Sequence, residues 1–278
     1  MTFTPRNGTL FRTIAEFKPL VRAWKKLGKP IVFVPVRHGV HAGDIQRARL
    51  ARRVPGALTV VALIDAPTDR LQALTAEHVD CVLEISAHDL LPHGLRTCVV
   101  GAGEAAWQGE AAGELARELT LLLGLFHIVQ PNDVFLSEKD YEFLIAAQRM
   151  ITDFHMDIRV KGVPIVREPD GLACALGNAQ LSPSGRDAAL AISAALVAGA
   201  HASGKGQQAV LQAVQAVLSA APELSDVEVQ LVGVGLEEPP VSGDARLCIS
   251  ATVDSVLLTD NAPVSLGLES QDTGTRGC

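Results

Sequence analysis

The chain has 278 residues, with 24 Lys plus Arg against 31 Asp plus Glu, a formal charge of −7. Hydrophobic residues at 48% and charged residues at 20% exclude wholesale disorder, and the length suffices for one large core or two smaller ones. The acidic balance, with aromatics at only 4%, excludes the basic patches and stacking rings of a general nucleic-acid binder.

In chain order, Ile14, Phe17, Val21 and Trp24 recur at steps of three and four and predict a helix with one apolar face, ended by Gly28 and Pro30. Ile31-Val32-Phe33-Val34 is a short β-branched run, the signature of a strand covered on both faces. Asp44 to Arg53 is polar and helix-prone, and Val54-Pro55-Gly56 stops it. Leu58 to Ile64 predicts a second buried strand, Gly113 to Phe126 a helix, and Ile158 to Val166 a further strand broken by Gly162 and Pro164. Strands separated by helices imply right-handed crossovers and a parallel sheet, an α/β domain over 1–168. Beyond it, Asp187 to Ala221 is Ala-rich and helical, with a break at Ser203-Gly204-Lys205-Gly206. Val227 to Val232, then Leu247 to Val253 continuing toward Leu258, predict strands. These make 169–278 a small α+β domain, with a loose polar tail from Ser270.

Five cysteines, Cys81, Cys98, Cys174, Cys248 and Cys278, form no C-x-x-C pair, which argues against a disulfide framework and a zinc ribbon. Cys174 reads as a packed thiol, and His127 and His155 have no partner at metal-ligand spacing, so no metal site is expected. There is neither a membrane-length apolar run nor a signal-peptide core after Met1, so the expectation is a cytoplasmic protein with no membrane contact.

Two segments hold candidate chemistry. Arg37-His38-Gly39-Val40-His41-Ala42-Gly43-Asp44 lies between a buried strand and a helix, where open α/β folds bind ligands and a helix N-terminus accepts anions. On spacing alone the simpler reading is preferred, that Asp44 caps the helix and the histidines are loop residues. Ser137-Glu138-Lys139-Asp140 follows Val134-Phe135; Lys139 could neutralise a phosphate, although a capping serine with a solvated lysine is the simpler reading. Gly101-Ala102-Gly103 loosely matches a dinucleotide fingerprint but lacks the downstream acid, and reads as a turn. Arg47, Arg49, Arg52 and Arg53 form a basic run that reads as a solvated helix face used for ion pairing.

Together these segments resemble the pantothenate synthetase (pantoate–β-alanine ligase) family. The resemblance is carried by Ile128-Val129-Gln130-Pro131, by Ser137-Glu138-Lys139-Asp140-Tyr141, by the run from Gly162 to Ala173, and by Leu181-Ser182-Pro183. It extends more weakly over roughly residues 10 to 268, including Leu257 to Asn261. It implies a Rossmann-like nucleotidyltransferase domain plus a small C-terminal domain, and a homodimer. It also implies ATP and Mg2+ as cofactors and pantoate and β-alanine as substrates, joined through a pantoyl adenylate.

Carried over by position, the resemblance puts the first signature histidine at His41 and its glycine at Gly43, and gives Asp44 where the family has its second, catalytic histidine. Lys139 is kept as the phosphate-facing lysine. Arg37, His38, Gly39, Ser137, Glu138, Asp140, Val166 and Asn178 fall on nucleotide-side positions. Asp69 and Phe143 stand where glutamines would hold the acid, Ala66 replaces an asparagine, and Ala175-Leu176-Gly177 replaces a Ser-Ser-Arg. These replacements leave three readings: a working ligase with Arg37, His38 and Arg117 as stand-in cations, a non-catalytic homologue that binds or interacts, and a ligase for another acid.

Overall fold

The computed structural model describes residues 3–37, 39–65, 71–101 and 110–267, with side chains in the helix that opens at Glu110 described from residue 113 onward. The expectations for His38, Ala66, Asp69, the turn after Gly101 and the tail from Ser270 lie outside the described residues. The chain divides into two compact units, Met1–Val166 and Arg167–Cys278.

The first unit runs β1 (Thr9–Phe11), α1 (Ile14–Lys26), β2 (Ile31–Arg37), α2 (Ala42–Ala51), β3 (Leu58–Ile64), α3 (Leu71–Ala76), β4 (Cys81–Ile85), α4 (Ala87–Leu90), α5 (Glu110–Val129), β5 (Asp133–Ser137), α6 (Tyr141–Asp153) and β6 (Arg159–Val163). Local chemistry sets the boundaries. Thr13 caps α1 by accepting the Glu16 N–H at 3.2 Å, and Lys25 and Lys26 face the negative end of its dipole. β2 and β3 are buried on both faces, as a covered parallel strand requires. β6 stops at Val163, short of the expected Val166, because Pro164 has no N–H to continue the ladder.

The six strands form one sheet in the order β1-β4-β3-β2-β5-β6, and every pair is parallel. From β2 the chain steps outward through β3 and β4, then returns to place β5 on the other side of β2. The strand order therefore reverses between β2 and β5, the switch point where ligands of open α/β sheets bind. β2 pairs with β3 from Ile31↔Leu58 to Arg37↔Ile64, whereas its pairing with β5 is confined to Val32↔Asp133 and Phe33↔Val134. Past Phe33 the two central strands share no ladder, and the crevice opens there.

Alternation along β2 assigns its faces. Val32, Val34 and Val36 pack in a core with Ala48 and Ala51 of α2 and Leu74 of α3. Phe33 faces the other side and meets Phe126 of α5 edge-on, centroids 6.4 Å apart. Arg37 follows Phe33 by four residues and reaches the same side.

The second unit contains α7 (Pro183–Ala202), α8 (Gln207–Leu218), β7 (Ser225–Gly233), β8 (Gly243–Val253) and β9 (Val256–Leu266), the strands making an antiparallel sheet in the order β7-β8-β9. Ile192, Leu196, Val210, Val214, Leu247, Ile249 and Leu266 are its innermost core. A Cβ at Gly199 would stand 2.6 Å from Leu247 Cδ2 and 2.8 Å from Val214 Cγ2, so glycine lets α7 approach both β8 and α8. Pro183–Lys205 is the one stretch among the described residues long and apolar enough to cross a membrane by composition. Its apolar stripe is instead spent on this core, and Arg186, Asp187 and His201 lie along it.

Candidate functional site

The crevice is built by two strand ends. β2 delivers Arg37, and the chain then turns through Gly39, whose φ of +128° suits glycine, into the first turn of α2. β5 delivers Ser137, and a short 3₁₀ turn carries Glu138, Lys139 and Asp140 into α6. The first unit thus brings Arg37, His41, Gly43, Asp44, Ser137, Glu138, Lys139 and Asp140 to the two sides of one gap.

His41 is the N-cap of α2. Its Nδ1 accepts the Gly43 N–H at 3.0 Å, and its own N–H donates to Asp44 Oδ2 at 2.9 Å, completing a capping box. Acceptance at Nδ1 leaves the proton of the neutral ring on Nε2. A Cβ at Gly43 would come within 2.8 Å of His41 Cε1 and 3.0 Å of Nδ1, so glycine leaves room for the Nδ1–Cε1 edge of the ring. Burial holds His41 below the usual imidazole value, against the opposing pull of the Asp44 carboxylate. The preferred sequence reading of Asp44 as a cap describes its hydrogen bond, and His41 does more than sit in a loop.

Asp44 is 2% exposed and pairs with Arg47, one turn on. Arg47 Nη1 donates to the Pro35 carbonyl at 2.8 Å and the Phe135 carbonyl at 3.4 Å. One guanidinium therefore bridges β2 and β5 just past the end of their ladder. This corrects the reading of the basic run at one position: Arg47 is buried, whereas Arg49, Arg52 and Arg53 are exposed as a solvated face requires, and Arg49 pairs with Glu77. Asp44, Arg47, Ala48 and Ala51 follow the i, i+3, i+4, i+7 stripe of a core-facing helix, the signal that could have found Arg47.

Arg37 is held by Glu118 of α5 and, at 3.4 Å, by Asp140, and its guanidinium lies 4.1 Å from the centroid of the Phe143 ring. Arg37, Glu118 and Phe143 border a cavity of about 210 Å³ whose apolar lining includes Pro35, Ile64, Leu121, Leu122, Leu125 and Phe143. Its charged lining is Arg37, Asp65, Glu114, Arg117 and Glu118. Phe143 is 7% exposed and closes one wall. Glu114 and Glu118 had no sequence signal beyond lying four apart on one face of α5.

Ser137 Oγ accepts the Lys139 N–H at 3.1 Å and shapes the turn that presents the lysine. Val166 is half-buried at the end of the first unit. Asn178 belongs to the second unit, where its side-chain amide donates to Glu168 Oε1 at 2.7 Å and the Ala173 carbonyl at 2.9 Å, so both amide hydrogens are engaged within that unit. Cys174 is buried.

A parallel sheet with a switch-point crevice, followed by a small antiparallel unit, defines the class: a Rossmann-like nucleotidyltransferase fold. The family model for pantoate-beta-alanine ligase matches residues 65–263. The chain belongs to that family. Pantothenate synthetase of Corynebacterium jeikeium is 36% identical, with 100% of this chain and 97% of that protein aligned. The solved pantothenate synthetase of Thermus thermophilus superposes with a TM-score of 0.80 at 28% identity, covering 91% of this chain and 98% of its own. The Francisella tularensis pantoate-beta-alanine ligase, solved in complex with β-γ ATP and β-alanine, shares the fold with a TM-score of 0.71 at 21% identity over 92% of this chain and 97% of that one.

Proposed function

We propose that this chain is an ATP-dependent ligase that joins pantoate to β-alanine. The pantoate carboxylate attacks the α-phosphorus of ATP, pyrophosphate leaves, and the β-alanine amine then displaces AMP from the acyl carbon with loss of a proton. The observation that supports this reading is the convergence of Arg37, His41 and Lys139 on the split between β2 and β5, in a chain related over its whole length to pantothenate synthetases. Lys139 supplies charge to the phosphates, and Gly39 and Gly43 let the backbone approach them. Ser137, Glu138 and Asp140 form the nucleotide side of the crevice, and Phe143 the acid side. The protein's part is positioning and charge stabilisation. Magnesium would enter with the triphosphate. Its ligands would be mostly phosphate oxygens, and the half-exposed Asp140 carboxylate at the crevice could add one.

The purified chain, given ATP, pantoate and β-alanine, releases pyrophosphate and AMP only when the acid is present; no release at millimolar ATP sinks the reading. A second reading, a ligase for another acid, is favoured by Phe143, whose ring closes one wall of the cavity. Pyrophosphate release across a panel of carboxylic acids separates the two. The family resemblance also supports a cytoplasmic homodimer, which light scattering on the pure protein tests.

A further inference from the structure

The first turn of α2 already holds an anion of the protein's own. A helix N-terminus at a switch point offers free N–H groups and partial positive charge, which suit a phosphate. Here the Asp44 carboxylate, 2% exposed, puts a negative charge beside that terminus. Oδ2 accepts from the His41 N–H at 2.9 Å and stands 3.5 Å from His41 Nε2, and Oδ1 is held by Arg47. One buried carboxylate thus engages the helix terminus, a guanidinium and the proton-bearing face of an imidazole. Arg47 is 8% exposed and its Nε has no hydrogen-bond partner, so the cation is buried with donor capacity left over.

We propose that Asp44 is an intramolecular competitor of nucleotide phosphates and sets the crevice's affinity for polyphosphate low. The proposal rests on the reading that this crevice is the nucleotide site. The alternative is that Asp44 only neutralises Arg47, which then ties β2 to β5; in that case Asp44→Asn tightens binding through the unmasked guanidinium alone, and Asp44→Asn/Arg47→Gln binds as the parent does. The other charged and titratable groups acting on this spot, Asp140 and Lys139, sit on the turn before α6, and Arg37 ends β2.

Titration calorimetry of the full chain with Mg-ATP and with inorganic pyrophosphate tests it. Asp44→Asn keeps an oxygen for the His41 N–H and removes the charge. Relief of one like charge in a partly desolvated site predicts about tenfold tighter binding of both probes. The remote, exposed variant Glu16→Gln changes affinity by less than about twofold, because solvent and salt screen it. Asp44→Asn/Arg47→Gln removes both buried charges and keeps a donor for the strand carbonyls; it binds tighter than the parent but less tightly than the single variant. Should the single variant not fold, the double variant decides by the same rule. Binding by either variant equal to or weaker than the parent overturns the proposal, and a change in melting temperature alone leaves only the structural role. The ligase reading fails on a different readout, the absence of product from the parent chain.

Discussion

His41 joins the local hydrogen bonding of α2 to the chemistry of the crevice. Its ring is fixed on one nitrogen by the Gly43 N–H and its charged form is disfavoured by burial. A histidine held below its unfolded value of about 6.5 favours the folded state above that pH, and the contribution is lost as pH falls, because the unfolded chain then binds the proton more readily. Thermal melts from pH 7.5 to pH 5 therefore drop more steeply for the parent than for His41→Asn, whose side chain can still cap the helix; equal slopes would contradict this. The role of Arg47 was harder to read. Four arginines within seven residues look like a solvated face, and only the helical stripe shared by Asp44, Arg47, Ala48 and Ala51 separates the buried one. Arg37 was legible as a cation at a strand end, but its capture by Glu118, more than eighty residues away, required the fold.

Most elements followed from period and punctuation, and the exceptions have physical causes. β1 is three residues at a sheet edge, too short to show alternation, and β4 is a five-residue run that ends on Glu84-Ile85. β5 showed only as Val134-Phe135, because Asp133, which opens it, is a charged residue buried against Arg159. In the second unit, Arg167 forks onto the Asp260 carboxylate with contacts of 2.7 and 3.1 Å, tying the segment before α7 to β9. Asp260 is 4% exposed, so Arg167→Ala leaves a buried carboxylate without its cation, held by the Asn261 N–H at 2.8 Å and the Ser193 hydroxyl at 3.4 Å. Chemical denaturation should show a loss of about 3 kcal/mol, and a loss under about 1 kcal/mol would mean that water replaces the guanidinium.

At the scale of the molecule, the two-part organisation was legible from composition, because Ala-rich helices and paired strand candidates follow a run of alternating βα units. The strand order was not. No residue of β2 announces that β5, a hundred residues on, will be its neighbour, and that adjacency creates the crevice. The acid response is a property of the whole chain. Glu77 is held low by Arg49, Asp89 by Ser86, Glu168 by Asn178 and then Arg186, Asp170 by the Leu172 N–H, and Asp254 by the Ser182 N–H. Each favours folding above its unfolded value near 4, and that contribution disappears as pH falls through the lower folded value. Melting temperature should decline progressively below about pH 4.5, more shallowly in Asp254→Asn, and a flat profile down to pH 3 would contradict it.

The half-reaction that needs no amine tests the central claim most directly. With pure protein, millimolar Mg-ATP and pantoate, labelled pyrophosphate is expected to exchange into ATP, and Lys139→Ala to slow the exchange by about 10²-fold or more. Exchange that stays at background with every acid tried, from a protein shown to be folded, would mean that the crevice between β2 and β5 does not form an adenylate.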